Sequence, residues 1–237
     1  MITAILMAAG SGTRISRKIN GCCKCTLDIG GISLIRYTVQ MLINNGIDVH
    51  IVVGYNAEYV IAALEGLDVI FHRNIFYSIT NSLVSLWFAR DALKGEMVIL
   101  GNADVYWENA LLKKLLSEKR NNVMLCDSNR VEEGDYLFRV ENGRLYDFGK
   151  GNNCYGANCE YVGLAAIQSD LIPKFRKRLE LLVMQQHHDF WWEQVLYSMV
   201  KEMPIWAEDI AGNFWAEIDF IEDYHRILEY REQCSKN

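Results

Sequence analysis

The run Gly10-Ser11-Gly12-Thr13-Arg14 sets two glycines and an arginine directly after an apolar stretch, Ile2–Met7. Glycine tolerates positive φ and lets backbone N–H groups approach an anion, while the planar arginine fork matches phosphate oxygens. Two common phosphate loops can be tested against it. The dinucleotide fingerprint G-x-G-x-x-G needs a third glycine where Ile15 stands, and the P-loop needs a Lys-Ser/Thr pair that follows no glycine here. What remains is a G-x-G-T-R loop, readable as a phosphate cradle or as a turn that only reverses the chain. The segment after it is basic (Arg14, Arg17, Lys18, Lys24) in a chain of net charge −6, which favours the anion site.

Two aspartates could place a metal beside such an anion. Asp104 follows the apolar run Val98-Ile99-Leu100, and Asp219 follows Phe214–Ile218. Each then projects from the carboxyl end of a strand, where open α/β sheets bind ligands. Two carboxylates with triphosphate oxygens form a hard oxygen site suited to Mg²⁺. Helix capping is the competing role: it is weak for Asp104, whose next helix begins near Glu108, and on a par with ligation for Asp219, immediately before Phe220. Asn102 could orient a metal-bound water. His187-His188 reads as a solvated loop, since adjacent loop histidines point apart.

The second half pairs aromatics with acids: Tyr155, Glu160, Tyr161, Asp189-Phe190-Trp191-Trp192-Glu193 and Trp215. Aromatic faces beside a carboxylate suit an amine or quaternary ammonium. Core packing competes for most of these rings, and Trp191, Leu196 and Val200 form one helical stripe. Trp192 and Glu193, at a helix start, are the candidates for acceptor contacts.

The C-x-x-C of Cys22-Cys23-Lys24-Cys25 raises zinc or redox chemistry. Zinc needs a second pair, for which Cys154/Cys159 has the wrong gap, and a redox pair should open a helix after a strand. Lys24 could still lower a neighbouring thiol pKa and make this loop oxidation-sensitive.

Around these residues, apolar runs and helical periods alternate. Strands are expected over Ile2–Met7, Val49–Val53, Val69–Phe71 and Met97–Leu100, with helices over Ser33–Ile43 (Ser33 capping), Ala57–Leu64 and Asn81–Leu93. This is the order of right-handed βαβ units on a parallel sheet. Beyond Asp127 the pattern turns antiparallel: a hairpin of Tyr136–Val140 and Arg144–Phe148 with an Asn142-Gly143 turn, then a strand over Tyr161–Ile167. Helices near 170–183 and 190–201, a strand over Trp215–Ile218 and a helix over Phe220–Cys234 complete it. One folded unit of residues 1–237 is expected, with a nucleotide-binding half to residue 127 and an acceptor-binding half from 128. Its 51% hydrophobic and 23% charged residues are those of a globular protein. The acidic balance argues against nucleic acid, no apolar run reaches about eighteen residues, and seven cysteines without an export signal point to the cytoplasm.

Leu6–Arg14 followed by Lys24-Cys25-Thr26-Leu27-Asp28-Ile29-Gly30-Gly31 resembles the signature of nucleotidyltransferases that join a nucleoside triphosphate to a phosphorylated acceptor. Cys23 stands where that family usually has proline before the lysine. Asn81-Ser82, Gly101-Asn102-Ala103-Asp104, Glu160–Ala165 and Trp215–Asp219 follow in the same order and are similar to small bacterial CTP:phosphocholine and phosphonate cytidylyltransferases. The resemblance implies a Rossmann-like, mostly parallel sheet flanked by helices, of the nucleotide-diphospho-sugar transferase type, with an inserted antiparallel portion. It implies catalytic roles for Arg14 and Lys24, and nucleotide contacts from Ala8, Ala9, Gly10, Ser11, Gly12, Thr13, Asn81, Ser82 and Asn102. It further implies acceptor contacts from Glu160 and Tyr161 beside Trp192 and Glu193, and a Mg²⁺ on Asp104 and Asp219. The implied partners are CTP and a small phospho- or phosphono-acceptor, with neither nucleic acid nor membrane, in a monomer or homodimer. A sugar-1-phosphate nucleotidyltransferase and an inactive nucleotide-binding regulator remain the rival readings.

Overall fold

The apolar run at the N-terminus becomes the central strand of a mixed sheet. The computed structural model describes residues 1–12 and 22–236. In chain order these form β1 (Ile2–Ala8), α1 (Leu34–Asn44), β2 (Asp48–Val53), α2 (Ala57–Ala63), β3 (Val69–Arg73), α3 (Ser82–Phe88), β4 (Met97–Asn102), β5 (Val105–Trp107), α4 (Asn109–Ser117) and β6 (Asn122–Asp127). There follow β7 (Tyr136–Glu141), β8 (Arg144–Lys150), β9 (Cys159–Gln168), α5 (Ile172–Met184), α6 (Gln194–Tyr197), β10 (Ala207–Asp209), β11 (Trp215–Glu217) and α7 (Ile221–Lys236).

The main sheet runs β10-β6-β9-β4-β1-β2-β3, with β7 joined to β9 and β8 to β7. Strand β1 lies parallel to both β2 and β4, and Ala4, Ile5 and Leu6 have no exposed surface. A strand covered on both faces reads as a continuous apolar run, which is why it was legible. Strand β9 is antiparallel to both β4 and β6, so the antiparallel portion is built into the same sheet and spans the boundary at residue 127. The sheet is therefore mostly parallel with an antiparallel insertion and flanking helices, as the resemblance implied. No helix of the described residues is long and apolar enough to cross a membrane.

Several local expectations hold with small shifts. Helix α1 starts after Ser33, whose carbonyl rather than hydroxyl receives a bond, from Tyr37 N–H at 3.0 Å. The β7–β8 turn puts Asn142 and Gly143 at φ 52° and 73°, the double positive φ that an Asn-Gly hairpin turn requires. Two helices are shorter than expected. Asn81–Leu93 is α3 followed by a single turn at Arg90–Ala92, and of 190–201 only Gln194–Tyr197 is α-helical. Residues 188–192 bond instead to the start of α3: His188 C=O accepts from Asn81 N–H (2.7 Å), Phe190 C=O from Leu83 N–H (3.1 Å), and Trp192 N–H donates to Ser82 Oγ (2.9 Å). Strands β5 and β10, three residues each, carry too short a pattern to be expected from sequence, whereas the apolar run Val123–Cys126 of β6 did carry that signal. They form because β9, β11 and each other offer partners.

Candidate active site

A cleft of about 560 Å³ opens at the carboxyl ends of β1 and β4. Its first wall is the chain leaving β1. Ala9 C=O accepts from Tyr55 N–H at 3.1 Å, tying this loop to the end of β2. Gly12 has φ +57°, and a Cβ there would lie 3.0 Å from Lys24 Cγ. Glycine is thus needed both for the backbone and for the lysine stem lying against it. Gly12→Ala is expected to cost about 1–2 kcal/mol of local strain and to displace Lys24, lowering turnover at least tenfold. Pyrophosphate release, compared with the melting curve, measures both.

Lys24 begins a single helical turn, Lys24–Thr26, closed by Thr26 Oγ1 donating to Cys23 C=O at 2.8 Å. Its ammonium donates to Asp219 Oδ1 at 2.6 Å and lies 3.4 Å from Asp104 Oδ2, with the side chain 11% exposed. Burial works against that charge, but Asp104 and Asp219 outweigh it and hold the lysine pKa above its ordinary value. Burial raises the Asp104 carboxyl, opposed by Lys24. Glu217, two residues before Asp219 on β11, joins this group. Burial, then the charges of Asp104 and Asp219, push its carboxyl well above the usual range. Asp219 has its carboxylate on Lys24, and the start of α7 is served by Asp223, whose Oδ2 accepts from Phe220 N–H at 2.8 Å and Asp219 N–H at 3.2 Å.

The far wall comes from α3, β7–β9 and residues 191–197. Asn81 Oδ1 accepts from Ser82 N–H (2.7 Å) and its Nδ2 donates to Asp189 C=O (3.1 Å), fixing the start of α3 against the 188–192 segment. Asn102 Oδ1 accepts from Trp192 Nε1 at 2.9 Å. Tyr136, Tyr161, Trp191, Glu193 and Tyr197 complete the lining, with Lys150 and Asp135 paired at 3.0 Å on the rim. Burial pushes the Glu193 carboxyl up to about 8.

The arrangement joins a glycine loop, a lysine shared by two strand-end carboxylates and a separate acid–aromatic compartment in one cleft. Residues 4–189 match the family model for the MobA-like NTP transferase domain. The chain belongs to that family. Two similar proteins cover it nearly end to end. A CTP:phosphoglutamine cytidylyltransferase of Campylobacter jejuni is 24% identical over 96% of this chain and all of its own. A choline-phosphate cytidylyltransferase of Streptococcus pneumoniae is 27% identical over 95% of this chain and 96% of its own. Among solved structures, the CTP:phosphocholine cytidylyltransferase from Streptococcus pneumoniae superposes with a TM-score of 0.78 at 20% identity, covering 97% of this chain and 99% of that one. That superposition shows the fold, that of nucleotidyltransferases.

Within this transferase, the cleft is lined by Ala8, Ala9, Gly10, Ser11, Gly12, Lys24, Asn81, Ser82, Asn102, Asp104, Tyr161, Glu193 and Asp219. Thr13 and Arg14, with Arg17 and Lys18, lie outside the described residues. Two expected acceptor contacts are placed elsewhere. Glu160 does not line the cleft: its Oε2 accepts from Arg130 Nε (2.9 Å) and its Oε1 from Asp135 N–H (3.0 Å). Glu160 and Tyr161 are neighbours on a strand and so face opposite sides, which excludes a shared face. The two tryptophans exchange roles. Trp192 has no exposed surface and braces Asn102 from behind, whereas Trp191, read as core, is 37% exposed and lines the cleft.

Sequence reading missed Glu217, Tyr136, Lys150 and Tyr197. Glu217 carried a signal in standing two residues before Asp219 at the end of an expected strand; the others depend on how β7–β9 fold over the sheet. Neither thiol flanking Lys24 is activated. Burial raises Cys23 to about 11, its thiol donates to Tyr55 C=O at 3.4 Å, and Cys25 is pushed well above a free thiol. Lys24 spends its charge on the aspartates rather than on a thiolate. Among the described residues no three His, Cys, Asp or Glu side chains converge as a ready-made metal cluster.

Proposed function

We propose that the protein transfers a cytidylyl group from CTP to a small phosphorylated or phosphonate acceptor, such as phosphocholine or 2-aminoethylphosphonate, with release of pyrophosphate. The observation that carries this reading is Lys24, which lies against the glycine loop and is shared by Asp104 and Asp219 in the cleft that also holds the acid–aromatic wall. The named activities of the two cytidylyltransferase relatives support the choice of CTP and of a phosphorylated acceptor.

The acceptor oxygen attacks the α-phosphorus in line, a new P–O bond forms, and the bond to the β-phosphate oxygen breaks. A phosphate monoester has a second pKa of about 6, so its oxygen is already anionic and needs no general base. The backbone of Ala9–Gly12 approaches the phosphates, and Lys24 turns its ammonium toward the charge that develops on them. Arg14 is the second cation of the loop. Asp104 and Asp219 are hard oxygen donors facing one cleft, so they fit a Mg²⁺ ion and would hold it. When bound, that ion supplies Lewis-acid stabilisation of phosphate oxygens. Asn102, held by Trp192, orients groups beside Asp104.

The test is a matrix of nucleoside triphosphates against phosphocholine, aminoethylphosphonate and sugar 1-phosphates, scored by pyrophosphate release with and without Mg²⁺. CTP with an amine-bearing acceptor and Mg²⁺ is expected to exceed every other pair at least tenfold. Preference for a sugar 1-phosphate, or full turnover in EDTA, would refute the assignment.

A further inference from the structure

Beside the Lys24 cluster, and sharing Glu217 with it, the cleft contains a compartment that the transfer step does not use. We infer that it receives a primary ammonium group on the acceptor, seated between the carboxylates of Glu193 and Glu217 beside the Tyr161 hydroxyl, and that it discriminates against a quaternary ammonium. This inference rests on the proposed function and narrows its acceptor class.

Three observations point to that group. First, among the described residues that line the cleft the carboxyl groups exceed the cations, and both of those cations are engaged. Lys24 is committed to Asp104 and Asp219, and Lys150 to Asp135 at 3.0 Å. Glu193 is 6% exposed and lines the same cleft as Glu217 and Tyr161. A buried carboxylate is stabilised when a ligand brings the opposite charge. Second, Tyr161 is also only 6% exposed, yet its hydroxyl has no hydrogen-bond partner among the described residues, although it lines the same cleft as both acids. A buried polar group left unpaired is destabilising, and a donating ligand would recover that loss.

Third, the aromatic rings do not form an open cage. Tyr197 is sandwiched between Phe148 (4.1 Å between centroids) and Tyr136 (5.7 Å), and Tyr161 is stacked on Phe138 (5.1 Å). Trp191 has the Lys150 ammonium 4.9 Å from its ring centre. A quaternary ammonium binds through open aromatic faces and donates no hydrogen bond. These faces are largely taken by other groups, whereas the polar groups lining the compartment are the Glu193 carboxyl, which also accepts from the Asn102 side chain, the Glu217 carboxyl and a phenol oxygen. A primary ammonium offers three N–H donors for those three groups.

Sites built around hydrogen bonds reject ligands that lack them far more strongly than apolar pockets reject a methyl group. The test compares kcat/KM with CTP for phosphoethanolamine and phosphocholine, in the wild type and in Tyr161→Phe. The primary amine should be preferred by roughly 30-fold or more, mostly through KM. Tyr161→Phe should narrow the preference for phosphoethanolamine over phosphocholine about fivefold, through KM for the primary amine, and keep or raise the melting temperature, since the hydroxyl it removes has no partner among the described residues. Equal use of both amines, or a Tyr161→Phe effect that is the same for each, would overturn the inference alone. Release of pyrophosphate with a sugar 1-phosphate but with neither amine would overturn the proposed function and this inference together.

Discussion

Asp104→Asn and Asp219→Asn should each lower pyrophosphate release at least about 100-fold while the protein still melts cooperatively within a few degrees of the wild type. Both carboxylates meet at one lysine, so losing one still leaves Lys24 a partner: Asp219 at 2.6 Å or Asp104 at 3.4 Å. Lys24→Met should behave differently. It removes the ammonium that offsets Asp104, Asp219 and Glu217, two of which already have raised pKa values. Turnover should fall to a similar extent, and stability should drop by about 3 kcal/mol at pH 8, the usual cost of breaking a buried ion pair from one side. Lowering the pH should restore much of that loss, because protonating the acids removes their repulsion. Assays of activity beside melting curves at pH 5 and pH 8 separate the two classes. A Lys24→Met protein as stable at pH 8 as the wild type would argue against the counter-ion role.

Glu193→Gln should stabilise the protein and damage its use of amine acceptors. Burial raises the Glu193 carboxyl from the ordinary carboxylate value to about 8. The folded protein therefore keeps a proton that the unfolded chain releases above about pH 4.5. Its contribution is fully favourable below that pH and is lost progressively as pH rises towards 8. Glutamine imitates the protonated form at every pH. The substitution should leave stability near the wild-type value at pH 4.5 and raise it by roughly 2–4 kcal/mol at pH 8, a gain of several degrees in melting temperature. In the same protein KM for an amine-bearing acceptor should rise at least tenfold. Unchanged melting at pH 8 would mean that the carboxyl is not held neutral in the folded state.

The acceptor side also shows where reading along the chain reaches its limit. Glu160 was favoured by its place in a motif, yet the fold spends it on Arg130 and Asp135 N–H. Trp192 was favoured over Trp191 by position at an expected helix start. That helix is short because its preceding residues bond to α3, which turns Trp192 inward and leaves Trp191 on the cleft. Adjacent strand residues face opposite ways, so the choice between Glu160 and Tyr161 was partly legible. The choice between Trp191 and Trp192 depended on a partner about 110 residues earlier in the chain.

By itself, the sequence determined the parts of this protein that are local. Continuous apolar runs specified β1, β2 and β4, the Asn142-Gly143 pair specified a hairpin, and glycines after a strand marked the loop at the mouth of the cleft. Each of these follows from periodicity and backbone sterics within about ten residues. Tertiary structure alone decided which charges meet. Lys24 and Asp219 are 195 residues apart and share a 2.6 Å bond, and Glu193, Glu217 and Tyr161 come together from three separate elements. No local pattern encodes such encounters, because they arise when the sheet brings distant strand ends to one edge and packing fixes which side chain turns toward the cleft.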